Sequence, residues 1–197
     1  MNFYMHRLLH LSLLPTATAC LAACGLNAVV PVTTLPKHID QDRAILVYGI
    51  AMEGPWEWPS FPLGLDRYDL EKRDTSGSCW RRDKTEGSIP AAPGTQQYLA
   101  FDVPAGWYAY SPFNAAGLSG PSQAFQAAPG TVVYVGKFSN RGGKISYRAE
   151  DDRLVTLDRD LQTALPALER AFPGITPRLS LASAKVVEAP HAFLCAP

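Results

Sequence analysis

The pattern of hydrophobic and polar residues along the chain predicts mostly short β-strands. Residues 44–52 form a continuous apolar run of strand length, typical of a central strand covered on both faces. Residues 63–72 change the phase of their alternation between Leu65 and Tyr68, so we expect a bulge or an edge position there. Residues 74–93 hold Ser, Gly, Pro and charged residues with little periodicity, and we interpret them as a long surface excursion.

The middle of the chain has the alternation of β-hairpins. Residues 98–103 alternate cleanly, and a Pro-Ala-Gly turn joins them to residues 107–113. A second copy of this order of residues follows, with Pro129-Gly130 as its turn. Residues 131–138 and 145–149 are then predicted to form two more strands.

One region has helical periodicity. Apolar residues recur at intervals of four, three and four from Leu161 to Phe172, which predicts a helix over about 159–172. Asp158 precedes the pattern as a candidate N-cap. Pro166 should kink this helix or begin a second helical segment, because proline lacks the backbone donor that a helix interior needs.

With a last strand or two over 179–188, these elements predict an antiparallel β-sandwich of about seven or eight strands with one late helix. Of the 197 residues, 47% are apolar and 18% are charged, so a hydrophobic core is expected. The 18 basic and 18 acidic residues cancel, and no stretch concentrates one sign. The chain therefore lacks the broad basic surface that nucleic-acid binding requires, and no nucleic-acid partner is expected.

The predicted sandwich also carries residues that resemble a known family. These are Phe125 with Pro129-Gly130, the string Val133–Gly136, Asp151-Asp152, and a helix ending in Phe172-Pro173-Gly174. In this combination, over about 44–181, the chain resembles a group of uncharacterised bacterial lipoproteins with a prealbumin-like β-sandwich. The resemblance implies a fold and implies no particular activity.

The N-terminal region predicts export and lipidation. Residues 1–23 combine a charged start at Arg7, a short apolar stretch and small residues at the end, as secretory signals do. The string Leu-Ala-Ala-Cys-Gly that ends at Gly25 resembles the lipobox of bacterial lipoproteins. That resemblance implies cleavage before Cys24, diacylglycerol on its thiol, and usually a fatty acyl chain such as palmitate on its new amine. Cleavage nearby that leaves Cys24 as a free thiol, and lipidation at Cys20, are the alternatives.

The residues after Cys24 predict a location and a tether. By resemblance to enterobacterial sorting, Gly25 implies an outer-membrane lipoprotein that faces the periplasm. Residues 24–42 contain two prolines and no apolar period, so we interpret them as a lipidated N-terminus and a flexible tether that reaches at most about 60 Å. The folded domain is expected over 43–197.

Two cysteines remain in the expected mature domain, Cys79 and Cys195. An exported domain normally oxidises such a pair, and the disulfide would stabilise the fold by about 4 to 5 kcal/mol in the chain-entropy model. A buried pair of free thiols is the alternative. The string Gly77–Trp80 matches part of the papain-type nucleophile signature, but charged residues follow it where that signature needs an apolar helical face. We therefore predict no catalytic residue and no enzyme.

One segment has the composition of a binding surface. Residues 55–62 interleave Trp56, Trp58 and Phe61 with prolines that hold the backbone extended. Such rings stack on sugars or grip a partner peptide, and they equally suit a loop that covers an open end of the sandwich.

No metal or cofactor is expected. Neither His191 with Cys195 nor His38 with its acidic neighbours supplies the three or four convergent ligands of a closed site. Glu150–Asp152 lacks the ligand spacing of a calcium loop and is interpreted as a turn.

Three functional hypotheses remain open. The first is a non-catalytic, lipid-anchored accessory or interaction subunit with an envelope protein as its partner. The second is a module that binds peptidoglycan or another glycan through the aromatic strip Trp56, Trp58 and Phe61. The third is a cysteine hydrolase that uses Cys79.

Overall fold

The computed structural model describes residues 26–53, 62–78, 81–88, 90, 92–110, 120–140 and 155–191. The first strands along this part of the chain are β1 (Val30–Val32), β2 (Arg43–Met52), β3 (Pro62–Asp69), β4 (Asp74–Thr75), β5 (Gly77–Ser78), β6 (Arg81–Arg82) and β7 (Lys84–Ser88). They are followed by β8 (Gln96–Pro104), β9 (Gly106–Tyr110), β10 (Pro121–Ala127), β11 (Val132–Asn140), β12 (Val155–Asp158), the helix α1 (Leu161–Ala171), β13 (Leu179–Leu181) and β14 (Ala184–Glu188). A 3-10 turn at Thr176–Arg178 precedes β13.

These strands form two six-stranded sheets and a small pair, β5 with β6. The first sheet has the order β1-β8-β2-β11-β12, with β13 also paired to β11. The second has the order β14-β10-β9-β3-β4, with β7 also paired to β3. The prediction of a mainly β, sandwich-like fold with one helix is confirmed. The strands outnumber the prediction, and β11 runs parallel to both β2 and β13, so the first sheet is mixed rather than purely antiparallel.

Apolar side chains fill the space between the two sheets and the space under the helix. Between the sheets, Tyr48, Leu65, Tyr108 and Phe125 are fully buried. On the other face of the first sheet, a second cluster joins α1 to β2 and β11. β2 is therefore covered on both faces, as its continuous apolar run predicts.

The two predicted hairpins are instead connections in which the chain passes from one sheet to the other. β8 belongs to the first sheet and β9 to the second, with Ala105 alone between them; β10 and β11 are divided between the sheets in the same way. Phe101 of β8 and Tyr108 of β9 enter the same core from opposite sides. Alternation of apolar and polar residues shows that one face of a strand is buried. The pattern is the same whether the next strand hydrogen-bonds to it in the same sheet or packs against it from the opposite sheet.

Two regions occupy positions in the strand order that differ from the prediction. β3 lies between β9 and the strands β4 and β7, so it is not an edge strand. Residues 74–88 supply β4 to β7, with Asp83 and Thr85 buried, so the predicted surface excursion is wrong over this range. The hydrophobic pattern did not reveal these strands, because the buried groups of residues 74–88 are largely polar and paired.

The predicted tether is also wrong from Leu26 onward. β1 pairs with β8, and the side chains of Val29 and Ile39 are 7% and 8% exposed. This segment docks through backbone pairing and a few separated apolar residues, which leave no periodic signal in the sequence.

The helix follows its periodicity, but its N-cap lies two residues after the predicted one. Asp160, rather than Asp158, accepts the backbone N–H groups of Gln162 and Thr163 and caps α1. α1 continues through Pro166 to Ala171 as one element. The predicted last strands are confirmed as β13 and β14, whereas the predicted strand 145–149 lies outside the described residues.

Candidate functional site

The strand register gives the two ends of the sandwich different characters. At one end Asn140 of β11 lies beside Met52 of β2 and Val155 of β12, and the Gln97 side chain donates to the Ser88 carbonyl across the sheets. We call this the loop end. The segments that join strands there are 53–61, 89–95, 111–120 and 141–154.

The opposite end is closed by short connections. Ala105 joins β8 to β9, and its N–H donates to the Asp42 carbonyl at 2.8 Å. The Gly130 N–H donates to the Arg43 carbonyl at 2.7 Å. The Tyr108 hydroxyl donates to the Pro104 carbonyl at 2.8 Å, and burial raises the pKa of this phenol well above its ordinary value. We call this the entry end, because the first described residues of the chain dock near it.

Each sequence-predicted site residue lies outside the described residues, and the structure describes only the flanking residues. Cys24 precedes Leu26 by two positions. Trp56, Trp58 and Phe61 lie between Met52 and Pro62, two strand ends at the loop end. The disulfide Cys79–Cys195 and the binding role of the aromatic strip therefore stay predictions.

The segments that carry the two cysteines meet near the entry end. The His191 backbone N–H donates to Asp74 Oδ1 at 3.1 Å, and its ring Nδ1 lies 3.0 Å from Asp74 Oδ2. Asp74 stands five positions before Cys79, and His191 four before Cys195. Burial alone would raise the pKa of the Asp74 carboxyl, but hydrogen bonds from the Thr75 and His191 amides and from the His191 ring hold it below its ordinary value.

A cluster of arginines and aspartates lies beside this meeting point. Arg82 donates from Nε and Nη2 to the two carboxylate oxygens of Asp66, at 2.9 and 3.0 Å. The Asp66 side chain is 2% exposed and the Arg82 side chain 18%. A bidentate pair is the geometry in which two charges best offset the cost of leaving water.

The second carboxylate of this cluster connects three segments of the chain. Asp83 Oδ1 accepts the Ala28 N–H at 3.1 Å, and Asp83 Oδ2 accepts Arg67 Nη1 at 3.2 Å. Arg81 Nε lies 3.8 Å from Asp83 Oδ1. The arginine cluster, Arg67, Arg81 and Arg82 with Asp66 and Asp83, thus has three cations for two carboxylates and a net positive charge.

The first described residues of the chain dock on this cluster. The Arg82 N–H donates to the Leu26 carbonyl at 3.2 Å. The Asn27 side chain both donates to the Lys84 carbonyl and accepts the Lys84 N–H. Arg43 Nη2 then donates to the Ala28 carbonyl at 2.9 Å, where the chain passes to the first sheet.

A cavity of about 220 Å³ opens beside the arginine cluster. It is lined by Arg67, Ser76, Gly77, Ser78, Arg81 and Asp83. Guanidinium groups recognise planar or tetrahedral anions such as carboxylate and phosphate. The cavity therefore combines a size suited to a small ligand or headgroup with a positive rim.

Sequence reasoning missed this cluster because residues 74–93 were interpreted as surface. A signal was present: Asp66-Arg67 and Asp83-Lys84 each place an aspartate before a basic residue, and they lie on neighbouring antiparallel segments in which Asp66 is opposite Lys84. Such an order places each cation opposite an anion.

Among the described residues, no group of three or more His, Cys, Asp or Glu side chains is arranged to hold a metal ion. His38 lies 3.8 Å from Asp40 in an exposed pair, and the described contacts of His191 are with Asp74. Within the same residues, no helix has the length and apolar composition to span a bilayer.

The fold and the cluster define a mainly β, sandwich-like protein with a helix on one sheet and a positive cavity near the entry end. No protein-family model, no curated protein and no solved structure matches the chain.

Proposed function

We propose that the chain is a lipid-anchored, non-catalytic protein of a bacterial cell envelope that acts as an interaction or accessory subunit. Acyl chains on Cys24 hold it on the outer membrane, and its domain faces the periplasm. Two or three acyl chains bind a bilayer far more firmly than a single chain, at about 0.8 kcal/mol per buried methylene.

The observation that supports this proposal is the docking of the residue that directly follows the lipobox-like string. The string ends at Gly25, and the carbonyl of the next residue, Leu26, accepts the Arg82 N–H. The domain that cleavage before Cys24 would leave therefore keeps this contact in its N-terminal segment.

Mass spectrometry of the N-terminal peptide tests the anchor. The peptide from envelope-extracted protein should begin at Cys24 and carry diacylglycerol and an acyl chain. Cys24→Ser should abolish this modification, and the matched variant Cys20→Ser should keep it. An unmodified Cys24 in the mature protein would refute the proposal.

Co-purification tests the role of an interaction subunit. The lipidated protein, extracted gently from envelopes, should retain a stoichiometric partner that is lost with Cys24→Ser. Repeated purification of the lipidated chain alone would count against this role.

A glycan-binding role is the second candidate, favoured by the place of the aromatic strip in the strand order. β2 ends and β3 begins at the loop end, and the sequence places Trp56, Trp58 and Phe61 between these two strands. The double variant Trp56→Ala with Trp58→Ala should abolish sedimentation with purified sacculi. Trp107→Phe, which changes a tryptophan beside the entry end, is the control. Equal sedimentation of the double variant, or none by the parent, would exclude this role.

A further inference from the structure

The docking of Leu26 leaves almost no chain between the proposed anchor and the domain. Gly25 alone separates Cys24 from Leu26. Two residues of extended chain span at most about 7 Å. A lipid on Cys24 would therefore place the domain surface around Leu26 at the level of the headgroups, rather than tens of ångströms above them.

The surface around Leu26 has the chemistry of a membrane-facing patch. Leu26 is 68% exposed although it is apolar, and the neighbouring Arg81 side chain is 63% exposed. Leu26 forms a β-bridge with Arg81, so the apolar and the cationic side chain belong to one patch. Exposed apolar residues beside arginine are typical of surfaces that sit in the interface of an anionic bilayer.

The cavity lies within this patch and is bordered by two arginines. Arg67 and Arg81 both line it, and the carboxylate that they share, Asp83, is 5% exposed. The single negative charge of Asp83 offsets one of the two arginine charges. The rim of the cavity therefore keeps a net positive charge. A phosphate at the cavity mouth would find Arg81 at its edge without a competing exposed carboxylate among the lining residues.

Resting on the proposed lipidation of Cys24, we propose that the anchor face, formed by Leu26, Arg81 and the cavity that Arg67 lines, lies against anionic phospholipid headgroups of the membrane that holds the anchor. Leu26 enters the interface, and Arg81 binds headgroup phosphate. The domain is thereby oriented, with the entry end toward the bilayer and the loop end away from it.

Hydrogen exchange of the lipidated full-length mature chain tests this orientation. The chain is compared in detergent micelles, in vesicles of phosphatidylethanolamine with phosphatidylglycerol, and in vesicles of phosphatidylcholine. On the anionic vesicles, peptides covering 26–30 and 76–82 should exchange several-fold more slowly than in micelles. The edge strand β12, whose Val155 pairs with Asn140 at the loop end, should exchange equally in all three.

A pair of charge variants sharpens the test. Arg81→Gln should lower the ratio of docked to undocked domain about fivefold on anionic vesicles, the equivalent of about 1 kcal/mol per basic residue at such a surface. Lys37→Gln removes an exposed cation on the helix side of the first sheet and should change nothing. Unchanged exchange of β12 in both variants shows that the fold is retained.

The outcomes separate this inference from the proposed function. A lipidated Cys24 with no slowing at 26–30 and 76–82, equal slowing on phosphatidylcholine, or equal effects of the two variants would overturn the orientation alone. An unmodified Cys24, read from the mass of the same sample, would overturn the anchor and the orientation together.

Discussion

The two ends of the sandwich differ in how they connect the same strands. At the entry end, one residue joins β8 to β9, and backbone hydrogen bonds and an arginine cluster tie together the N-terminal segment and both sheets. At the loop end, the same strands are joined by longer segments that include the three clustered aromatics. The hydrogen bonds and ion pairs at the entry end stabilise the fold, whereas longer connections like those at the loop end are the segments on which binding residues are commonly carried.

The largest loss of stability should come from removing a buried charge at the entry end. Asp66→Asn keeps the shape but removes the carboxylate that Arg82 binds at two points. Breaking a buried pair in this way should cost about 3 to 5 kcal/mol of unfolding free energy. Urea denaturation measures the loss.

Asp158→Asn is the control for that variant. Asp158 is 49% exposed and lies 3.8 Å from Lys137, so its loss should cost about 1 kcal/mol at most. Equal losses in the two variants would show that the arginine cluster is not the stabilising element described here.

The N-terminal segment gives the next largest effect. Ile39→Ala should cost about 2 to 4 kcal/mol, because the side chain is 8% exposed and packs with the helix cluster. Val30 is 55% exposed, so Val30→Ala should change the unfolding free energy by no more than about 0.5 kcal/mol. A flexible tether would give no effect for either, so thermal denaturation of the two variants decides between a tether and a docked segment.

Gly136 and Gly94 both have positive φ, but Gly136 is closely packed and Gly94 is not. A Cβ on Gly136 would lie 2.6 Å from Leu157 Cδ1 and 2.9 Å from the Asp158 carbonyl oxygen, with φ at +145°. Gly136→Ala should cost about 1 to 3 kcal/mol from this overlap and the strained backbone. Gly94, near the loop end, has φ of +76° and no atom within 4 Å of such a Cβ, so Gly94→Ala should cost about 1 kcal/mol or less. The reverse order, measured by urea denaturation, would contradict the packing around β11.

The smallest expected effect is a dependence on pH. The pKa of Asp74 is held below its ordinary value of 3.8, so its stabilising contribution is present above that pH and is lost as the pH falls through the lowered value. Because the side chain is 35% exposed, the contribution should be a few tenths of a kcal/mol, on the order of other exposed pairs. Asp74→Asn should flatten the acid limb of the stability profile between about pH 5 and 2. Identical profiles for the wild type and for Asp74→Asn would contradict a stabilising contact between Asp74 and His191.

The sequence pattern predicted best those elements whose burial is apolar and continuous. β2 and α1 follow from the run 44–52 and from the leucine period, because a hydrophobic face repeats at the interval of the element that buries it. β13 and β14 were predicted from the shorter signals over 179–188. The mainly β class was confirmed for the same reason.

The errors have two physical causes. Alternation in β8 and β9 specifies a buried face but not a hydrogen-bonded neighbour, so sheet crossings were predicted as hairpins. Residues 74–88 and the segment from Leu26 to Asp42 are stabilised largely by ion pairs and backbone bonds such as Asp83 with Ala28, and such contacts have no period. The arginine cluster was missed with them, while the predicted cysteines and aromatics lie outside the described residues and stay predictions.

We propose that the domain follows the lipidated Cys24 directly and lies on the membrane without a tether. Neutron reflectometry of the lipidated chain on a supported bilayer of phosphatidylethanolamine and phosphatidylglycerol measures the height of the protein layer. Protein density should begin at the headgroup layer, because Leu26 is docked and two residues reach only about 7 Å. A hydrated gap of tens of ångströms, within the roughly 60 Å that an extended 25–42 segment would allow, would contradict it.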